Sequence, residues 1–124
     1  MAVGRLLLLD KSAYVHGASA LDREGDLCLC AITRLELLYS ARSRSHYATL
    51  EDDLDAFRDL RVDGETIAIA GTAQRELAER SQHRVSIPDL LIAACAQQHG
   101  ADVLHRDRHY DVLAGVLEFQ ALRV

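Results

Sequence analysis

The chain is poor in proline and in aromatic residues. Its 124 residues include one Pro, 7 Gly and no Trp, and aromatic residues make up only 5% of the sequence. Hydrophobic residues reach 49%, an ordinary share for a globular protein, so aliphatic side chains and alanine must fill the core. No linker, repeat or low-complexity tract interrupts the sequence, and its length predicts a single domain over residues 1–124.

Long hydrophobic runs and an even set of cysteines are also missing. The first apolar run, Leu6–Leu9, lies between Arg5 and Asp10 and is too short for a signal peptide or a membrane span. The chain has three cysteines, which fits a reduced cytoplasm. Cys28 and Cys30 would share one face of a strand, and we interpret them as small core residues. We therefore expect a cytoplasmic protein without a membrane segment.

An excess of basic residues is absent too. Lys and Arg total 14 against 19 Asp and Glu, which gives a formal net charge of -5. Proteins that bind duplex DNA by neutralising its phosphates are usually basic, so this class is disfavoured. An acidic protein can still bind nucleic acid locally, where metal ions and a few arginines face the phosphates.

The hydrophobic pattern predicts strands that alternate with helices along the chain. The expected strands lie at 6–9, 27–32, 61–62, 102–104 and 119–124. The expected helices lie at 33–44, 47–60, 67–80 and 86–99. This alternation predicts an α/β fold, a three-layer α/β/α sandwich with a central, mainly parallel sheet. In such sheets, ligands bind beyond the carboxyl ends of the strands.

Four acidic residues stand where a hydrophobic segment ends or a helix begins, and they are Asp10, Glu36, Asp89 and Asp107. Asp10 and Asp107 follow predicted strands and therefore fall at the carboxyl edge of the sheet. Four carboxylates gathered there would repel each other unless divalent cations neutralised them. Carboxylate oxygens are hard ligands that suit Mg²⁺ or Mn²⁺. The pattern therefore predicts a metal-dependent enzyme.

Helix capping explains two of these acids without any metal. Two segments resemble capping boxes, Thr33-x-x-Glu36 and Ser86-x-x-Asp89. In a capping box the side chain of the acid accepts a hydrogen bond from the backbone N–H of the N-cap residue. Asp89 is the harder case, because its helix is apolar on nearly every face and aspartate is seldom buried without a partner. We therefore favour a metal ligand at Asp89 and leave both roles open for Glu36.

The other two acids also have structural alternatives. Asp10 suits a turn at the end of a strand, with Ser12 capping the helix that follows. Asp107 lies between Arg106 and Arg108, an arrangement typical of a surface ion pair. Taken together these alternatives weaken, because chance does not readily place acids at two strand ends and two helix starts of one small domain.

The four acids lie in four short motifs. These motifs are Leu8-Leu9-Asp10-Lys11-Ser12-Ala13, Ile32-Thr33-Arg34-Leu35-Glu36-Leu37, Ile87-Pro88-Asp89-Leu90-Leu91-Ile92-Ala93-Ala94 and Leu104-His105-Arg106-Asp107-Arg108-His109-Tyr110. Over nearly the whole chain, their order and spacing resemble the PIN-domain family, and within it the VapC-type toxins of bacterial toxin–antitoxin pairs. Two positions depart from the family pattern. Lys11 stands where Thr or another small residue is common, and His109 stands where a further Asp often occurs.

The resemblance implies a PIN-like fold and a Mg²⁺- or Mn²⁺-dependent endoribonuclease that acts as the toxin of a type II toxin–antitoxin pair. The partners that it implies are a cognate antitoxin, a second copy in a homodimer, and an RNA substrate such as tRNA or rRNA. It further implies that Asp10 and Asp89 hold the principal metal ion, with Glu36 and Asp107 completing the catalytic site. Such an ion would lower the pKa of a bound water and orient it for in-line attack on phosphorus.

Five further residues are candidate accessory or phosphate-contacting groups. Ser12 is expected to hydrogen-bond a metal ligand, a water molecule or a phosphate. The guanidinium forks of Arg42, Arg106 and Arg108 match the geometry of a phosphate group. His109 joins this set because it takes the place of a further acid.

Three other functions compete with this prediction. A catalytically silent PIN-like protein-interaction module stays open from the sequence alone. A zinc protein that uses His105 and His109 is disfavoured, because such zinc sites usually add paired thiolates and Cys28-x-Cys30 has the wrong spacing. A receiver-like phosphoacceptor domain is disfavoured because the first strand is not followed by an acidic pair and because Asp89 stays unexplained.

Overall fold

A parallel five-stranded sheet forms the centre of the computed structural model, which describes residues 4–16 and 24–124. The strands are β1 (Leu6–Leu9), β2 (Asp26–Cys30), β3 (Arg58–Leu60), β4 (Asp102–His105) and β5 (Ala121–Arg123). Their order across the sheet is β3-β2-β1-β4-β5, and every neighbouring pair is parallel. Consecutive strands do not all neighbour each other, so the chain crosses over the sheet through helices.

The helices connect these strands. They are α1 (Lys11–Tyr14), α2 (Ala31–Tyr39), α3 (Arg44–Leu54), α4 (Gly64–Glu79), α5 (Ile87–His99) and α6 (His109–Leu113). Within the part of the chain that the structure describes, no helix is long and apolar enough to cross a membrane.

The sheet is buried on both faces, as the all-leucine β1 predicts. Leu8 packs with Cys28 and Cys30 into a core that α4, α5 and α6 cover. Leu7 and Leu9 point to the opposite face, where their core includes buried leucines of α2 and α3. Alternate residues of a strand face opposite sides, so a strand that is apolar throughout requires cover on both. The predicted three-layer sandwich and the core placement of the two cysteines are confirmed.

The start of α2 differs from the predicted capping box. The helix begins directly after β2 at Ala31, with Cys30 as N-cap and no side-chain cap bond. The Thr33 hydroxyl is buried and donates to the backbone carbonyl of Leu9 at 2.9 Å. Of the two roles left open for Glu36, the Thr33–Glu36 capping box is therefore wrong, because the Thr33 hydroxyl bonds α2 to the end of β1.

The third strand also lies elsewhere than predicted. The helix expected at 47–60 ends at Leu54, and β3 occupies 58–60 instead of 61–62. Leu60 is buried against β2, whereas Arg58 and Asp59 of this edge strand are exposed. Leu60 is the only buried residue of this three-residue strand, and it continues the helical spacing of the apolar residues before it. The hydrophobic pattern alone therefore does not separate β3 from α3.

The helix α5 matches its prediction closely. Ser86 is the N-cap, and its hydroxyl accepts the backbone N–H of Asp89 at 3.2 Å. Gly100 ends the helix in the left-handed conformation, with φ of 67°, which glycine adopts without strain. Residues on nearly every side of α5 are buried, including the run Ile92–Ala96.

Candidate active site

The carboxyl ends of β1 and β4 bring the predicted acids together. Leu9 pairs with Leu104 in the sheet, and the backbone N–H of Asp10 donates to the Leu104 carbonyl at 3.0 Å. Beyond these strands lies a cavity of about 340 Å³. The described residues that line it are Asp10, Lys11, Ser12, Val15, Glu36, Ser86, Asp89, Asp107 and His109. We call this space the acidic cavity, and all four predicted acids lie in it.

Asp10 is held by its own helix and by Ser12. One carboxylate oxygen, Oδ2, accepts the backbone N–H of Ser12 at 3.0 Å and its hydroxyl at 2.6 Å. Asp10 is thus the N-cap of α1, and the prediction that Ser12 caps this helix is wrong. The Ser12 hydroxyl also accepts the backbone N–H of Arg106 at 2.9 Å. Ser12 therefore fixes Asp10 relative to the loop that carries Asp107.

Asp89 is buried at the first turn of α5, with 7% of its surface exposed. Its backbone N–H is capped by Ser86, but its carboxylate points toward α6. There Oδ2 lies 3.0 Å from His109 Nδ1, and Oδ1 accepts the Tyr110 hydroxyl at 3.2 Å. Burial raises the pKa of Asp89, and the His109 hydrogen bond opposes that rise. The backbone of Asp89 serves the helix while its side chain faces the acidic cavity.

Tyr110 connects Asp10 and Asp89, a role that was not predicted from the sequence. Its fully buried hydroxyl lies 2.7 Å from Asp10 Oδ1 and 3.2 Å from Asp89 Oδ1. Burial, reinforced by the two carboxylates, raises the pKa of Tyr110 well above its usual value, so the phenol keeps its proton. A phenol has only one hydrogen to donate. Two carboxylate oxygens therefore share a single donor.

Asp107 contacts a histidine instead of the neighbouring arginines. Its Oδ1 accepts the backbone N–H of His109 at 2.9 Å and lies 3.7 Å from His109 Nδ1. The alternative explanation of Asp107, an ion pair with Arg106 or Arg108, does not apply, because the tight turn into α6 directs the carboxylate toward His109. Among the residues described, Asp89, Asp107 and His109 offer three ligand atoms within 4.8 Å of one another.

The zinc alternative does not fit this geometry. His105 is fully buried, and its Nδ1 accepts the backbone N–H of Asp107 at 3.1 Å. His105 is not part of the group of possible metal ligands that contains His109. Cys28 and Cys30 belong to β2, and their side chains are part of the core between the sheet and the helices.

Glu36 has an oxygen without a hydrogen-bond partner. In the described structure, its Oε1 is buried and accepts no hydrogen bond. Burial raises the pKa of Glu36, the charges of Asp10 and Asp89 raise it further, and Lys11 lowers it. A buried carboxylate oxygen needs a donor or a cation. One Glu36 oxygen lacks a partner, and Asp10 and Asp89 share the single hydrogen of Tyr110, so the acidic cavity has too few hydrogen-bond donors for its four carboxylates. Hard oxygen ligands of this kind fit a divalent cation.

The predicted phosphate contacts lie outside the acidic cavity. Arg42, Arg106 and Arg108 are all exposed, and no described residue that lines the cavity is an arginine. The guanidinium of Arg106 instead lies 3.4 Å from Nδ1 of His16. The cation at the cavity wall is Lys11. A contact between these arginines and a phosphate stays a prediction.

Comparison with known proteins agrees with this architecture. The sequence model described as PIN domain matches residues 6–116. Ribonuclease VapC17 of Mycobacterium tuberculosis is 41% identical over 116 residues, covering 88% of this chain and 87% of the relative. Ribonuclease VapC18 of the same species is 39% identical over 120 residues, covering 87% of both chains.

A solved structure shares the fold over almost the full length. It is VapBC-5 of Mycobacterium tuberculosis, a member of the VapBC family of toxin-antitoxin systems. Its TM-score is 0.74 at 26% sequence identity, with 97% of this chain and 99% of that chain covered. The chain therefore belongs to the PIN domain family, and within it to the VapC group.

Proposed function

We propose that the protein is a Mg²⁺- or Mn²⁺-dependent endoribonuclease that hydrolyses phosphodiester bonds of cellular RNA, with tRNA or rRNA as the expected substrate. The observation that carries this proposal is the convergence of four carboxylates with too few donors in the acidic cavity. Relatives that are named ribonucleases and are about 40% identical support the same activity. A silent interaction module has no need of such a repulsive cluster.

Asp10, Glu36, Asp89 and Asp107 are the residues that would hold the metal ion. When bound, a divalent cation would neutralise the carboxylates, polarise a phosphate oxygen and lower the pKa of a water molecule. Asp10 and Asp89 both contact the Tyr110 hydroxyl and would be the principal ligands of the ion.

Several residues keep these acids in place before substrate binds. Ser12 fixes one oxygen of Asp10, Tyr110 bridges Asp10 to Asp89, and His109 holds the second oxygen of Asp89. Groups that are already oriented need no rearrangement during the reaction, which is how enzymes stabilise developing charge. Lys11 at the cavity wall is placed to contact a phosphate of the RNA.

The protein would act as the toxin of a toxin–antitoxin pair. VapBC-5, with which it shares its fold, belongs to a family of toxin–antitoxin systems. We infer a cognate antitoxin that blocks the acidic cavity, a homodimer as the assembled form, and a cytoplasmic location where its RNA substrate is found.

Incubation of the purified protein with total cellular RNA tests the proposed activity. We expect cuts at a small number of defined sites in the presence of Mg²⁺ or Mn²⁺, mapped by sequencing the new 5′ ends. Expression in bacteria should arrest growth, and co-expression of a small protein encoded beside the gene should restore it. For substitutions of the four acids, the Asp52→Asn variant is the matched control, because Asp52 is an exposed acid on α3 outside the cavity. Intact RNA under all these conditions would refute the assignment.

The Tyr110→Phe variant tests the shared donor. Removing only the hydroxyl leaves the buried ring in place but deprives Asp10 and Asp89 of their common hydrogen bond. Loss of a group that orients metal ligands typically costs about 10- to 100-fold in activity or metal affinity. We expect cleavage to fall by that factor and the half-activating Mg²⁺ concentration to rise. Tyr47→Phe, at an exposed tyrosine on α3, should behave as wild type. Unchanged rates and Mg²⁺ dependence in Tyr110→Phe would show that the bridge does not contribute.

A further inference from the structure

A second cavity adjoins the acidic cavity and shares two of its residues. It has a volume of about 440 Å³ and is lined by Lys11, Leu35, Glu36 and Tyr39. Lys11 and Glu36 also line the acidic cavity, so the two spaces meet along these side chains. Tyr39 and Leu35 line only this second space. We call the second space the tyrosine cavity.

Tyr39 has no role in the described core. Tyr39 is 91% exposed, the highest value among the exposed large hydrophobic residues. The chain has only six aromatic residues, and the structure describes all of them. It lies four residues after Leu35 and three after Glu36 on α2, a spacing that places all three on one helix face. Leu35 is also exposed, at 64%. Neighbouring exposed apolar groups beside a functional cavity indicate a binding surface.

Lys11 adds a positive charge to this surface. It is the only lysine among the 14 Lys and Arg residues, and its charge acts on Glu36 between the two cavities. A lysine ammonium is a compact point charge that binds phosphate readily. In a chain with a net charge of -5, such a local cation is what allows a polyanion to approach the acids.

We propose that the tyrosine cavity is a nucleobase subsite, in which an unpaired base next to the cleaved phosphate stacks on the Tyr39 ring. This inference rests on the proposed ribonuclease activity. Leu35 contacts the stacked base, and Lys11 binds the phosphate of the same nucleotide. Proteins recognise single-stranded RNA by stacking splayed bases on aromatic side chains and by contacting the backbone with cations. The enzyme therefore cuts in loops or single-stranded segments and not within a duplex.

A nucleotide fits these groups better than a segment of a partner protein. One nucleotide supplies both a flat ring for Tyr39 and an anion for Lys11, and these two side chains line the same cavity. A protein segment would need two separate side chains, one apolar and one acidic, to make the same two contacts. The shared boundary with the acidic cavity also places the bound base beside the reacting phosphate.

Steady-state cleavage of a short RNA that contains a mapped wild-type cut site tests the subsite. Loss of one stacked base typically lowers affinity about tenfold. We expect Tyr39→Ala to raise KM by about tenfold with kcat changed by less than about twofold, and Tyr39→Phe to resemble wild type. Tyr47→Ala, at an exposed tyrosine that lines neither cavity, should leave both constants unchanged. Tyr39 is exposed, so its removal should not alter the melting temperature.

Removing single bases from the substrate identifies the stacked position. RNAs with one abasic nucleotide at each position around the cut site are compared on wild type and Tyr39→Ala. At one position, the abasic RNA should raise KM about tenfold for wild type and have no further effect on Tyr39→Ala. Equal base-removal effects on both proteins at every position would overturn the subsite.

The outcomes separate this inference from the function on which it rests. If wild type cleaves RNA and Tyr39→Ala has the same KM, the subsite is wrong and the ribonuclease assignment stands. If Tyr39→Ala cleaves normally but loses affinity for a purified protein partner, Tyr39 belongs to a protein interface and the subsite is likewise wrong. If wild type cleaves no RNA, the proposed function fails, and the subsite fails with it.

Discussion

Replacing Asp89 with asparagine is expected to lower RNA cleavage by at least about 10²- to 10³-fold while the protein stays folded. Asparagine has the shape of aspartate but no negative charge, so it keeps the space beside Tyr110 filled and binds a divalent cation poorly. The backbone N–H of residue 89 still meets the Ser86 cap, so α5 should begin at the same place. Initial rates at saturating Mg²⁺, measured on one mapped RNA site, give the size of the loss.

The same substitution is expected to stabilise the metal-free protein at neutral pH. Burial raises the pKa of Asp89, so the folded protein binds this proton more readily than the unfolded chain does. For an acid with a raised pKa, stability falls as the pH rises from the ordinary carboxyl pKa, about 4, through the raised value. The ionised Asp89 therefore destabilises the fold at pH 7, and asparagine removes that cost. In EDTA, the gain in melting temperature should be largest near neutral pH and should shrink as the pH approaches about 4.

A stabilised but inactive variant would distinguish a functional acid from a structural one. Residues that serve chemistry are often unfavourable for folding, because a site that concentrates charge opposes the compact state. Asp52→Asn on α3 is the matched control and should change neither cleavage nor stability. If Asp89→Asn unfolded the protein, or retained full activity, Asp89 would be a structural residue.

The carboxyl edge of the sheet was predictable because its signals are local. An all-leucine strand that ends in an acid predicts both burial on two faces and a polar group at the strand end. Asp89 stands out because α5 is apolar on nearly every face, and a helix-capping pattern does not explain why a carboxylate is buried there. Such features are visible in a few consecutive residues. The architecture and the grouping of Asp10 with Asp89 follow from them.

Other parts of the site depend on contacts between distant residues. Thr33 looks like a helix cap in sequence, yet its hydroxyl bonds to Leu9, which is 24 positions earlier. Tyr110 bridges two acids that precede it by 100 and 21 positions. No local pattern marks either role, because a buried hydroxyl is used wherever the fold brings an acceptor. Tyr110 is the last residue of the fourth motif, and an aromatic residue three positions after Asp107 was the one signal that could have indicated it.

Removing divalent metal is expected to abolish cleavage completely, and adding Mg²⁺ or Mn²⁺ should restore it. Metal binding should also stabilise the fold, because the cation neutralises the carboxylates and satisfies the buried Oε1 of Glu36. A ligand present at 100 times its dissociation constant contributes about 2.7 kcal/mol to the free energy of unfolding. The melting temperature of wild type should therefore be higher in millimolar Mg²⁺ than in EDTA. The same difference should be much smaller for Asp10→Asn or Asp89→Asn.

The control for this measurement must separate binding from screening. Salt alone weakens the repulsion between four carboxylates, although buried charges are screened less than exposed ones. NaCl at matched ionic strength should therefore raise the melting temperature less than Mg²⁺ does, and it should not restore cleavage. Asp52→Asn should respond to Mg²⁺ as wild type does, because its exposed acid lies outside the acidic cavity. Cleavage that persists in EDTA, or equal stabilisation by NaCl and Mg²⁺, would mean that the four acids do not form a metal site. A specific Mg²⁺ response that disappears in Asp10→Asn and Asp89→Asn together would instead locate the ion between the two carboxylates that Tyr110 connects.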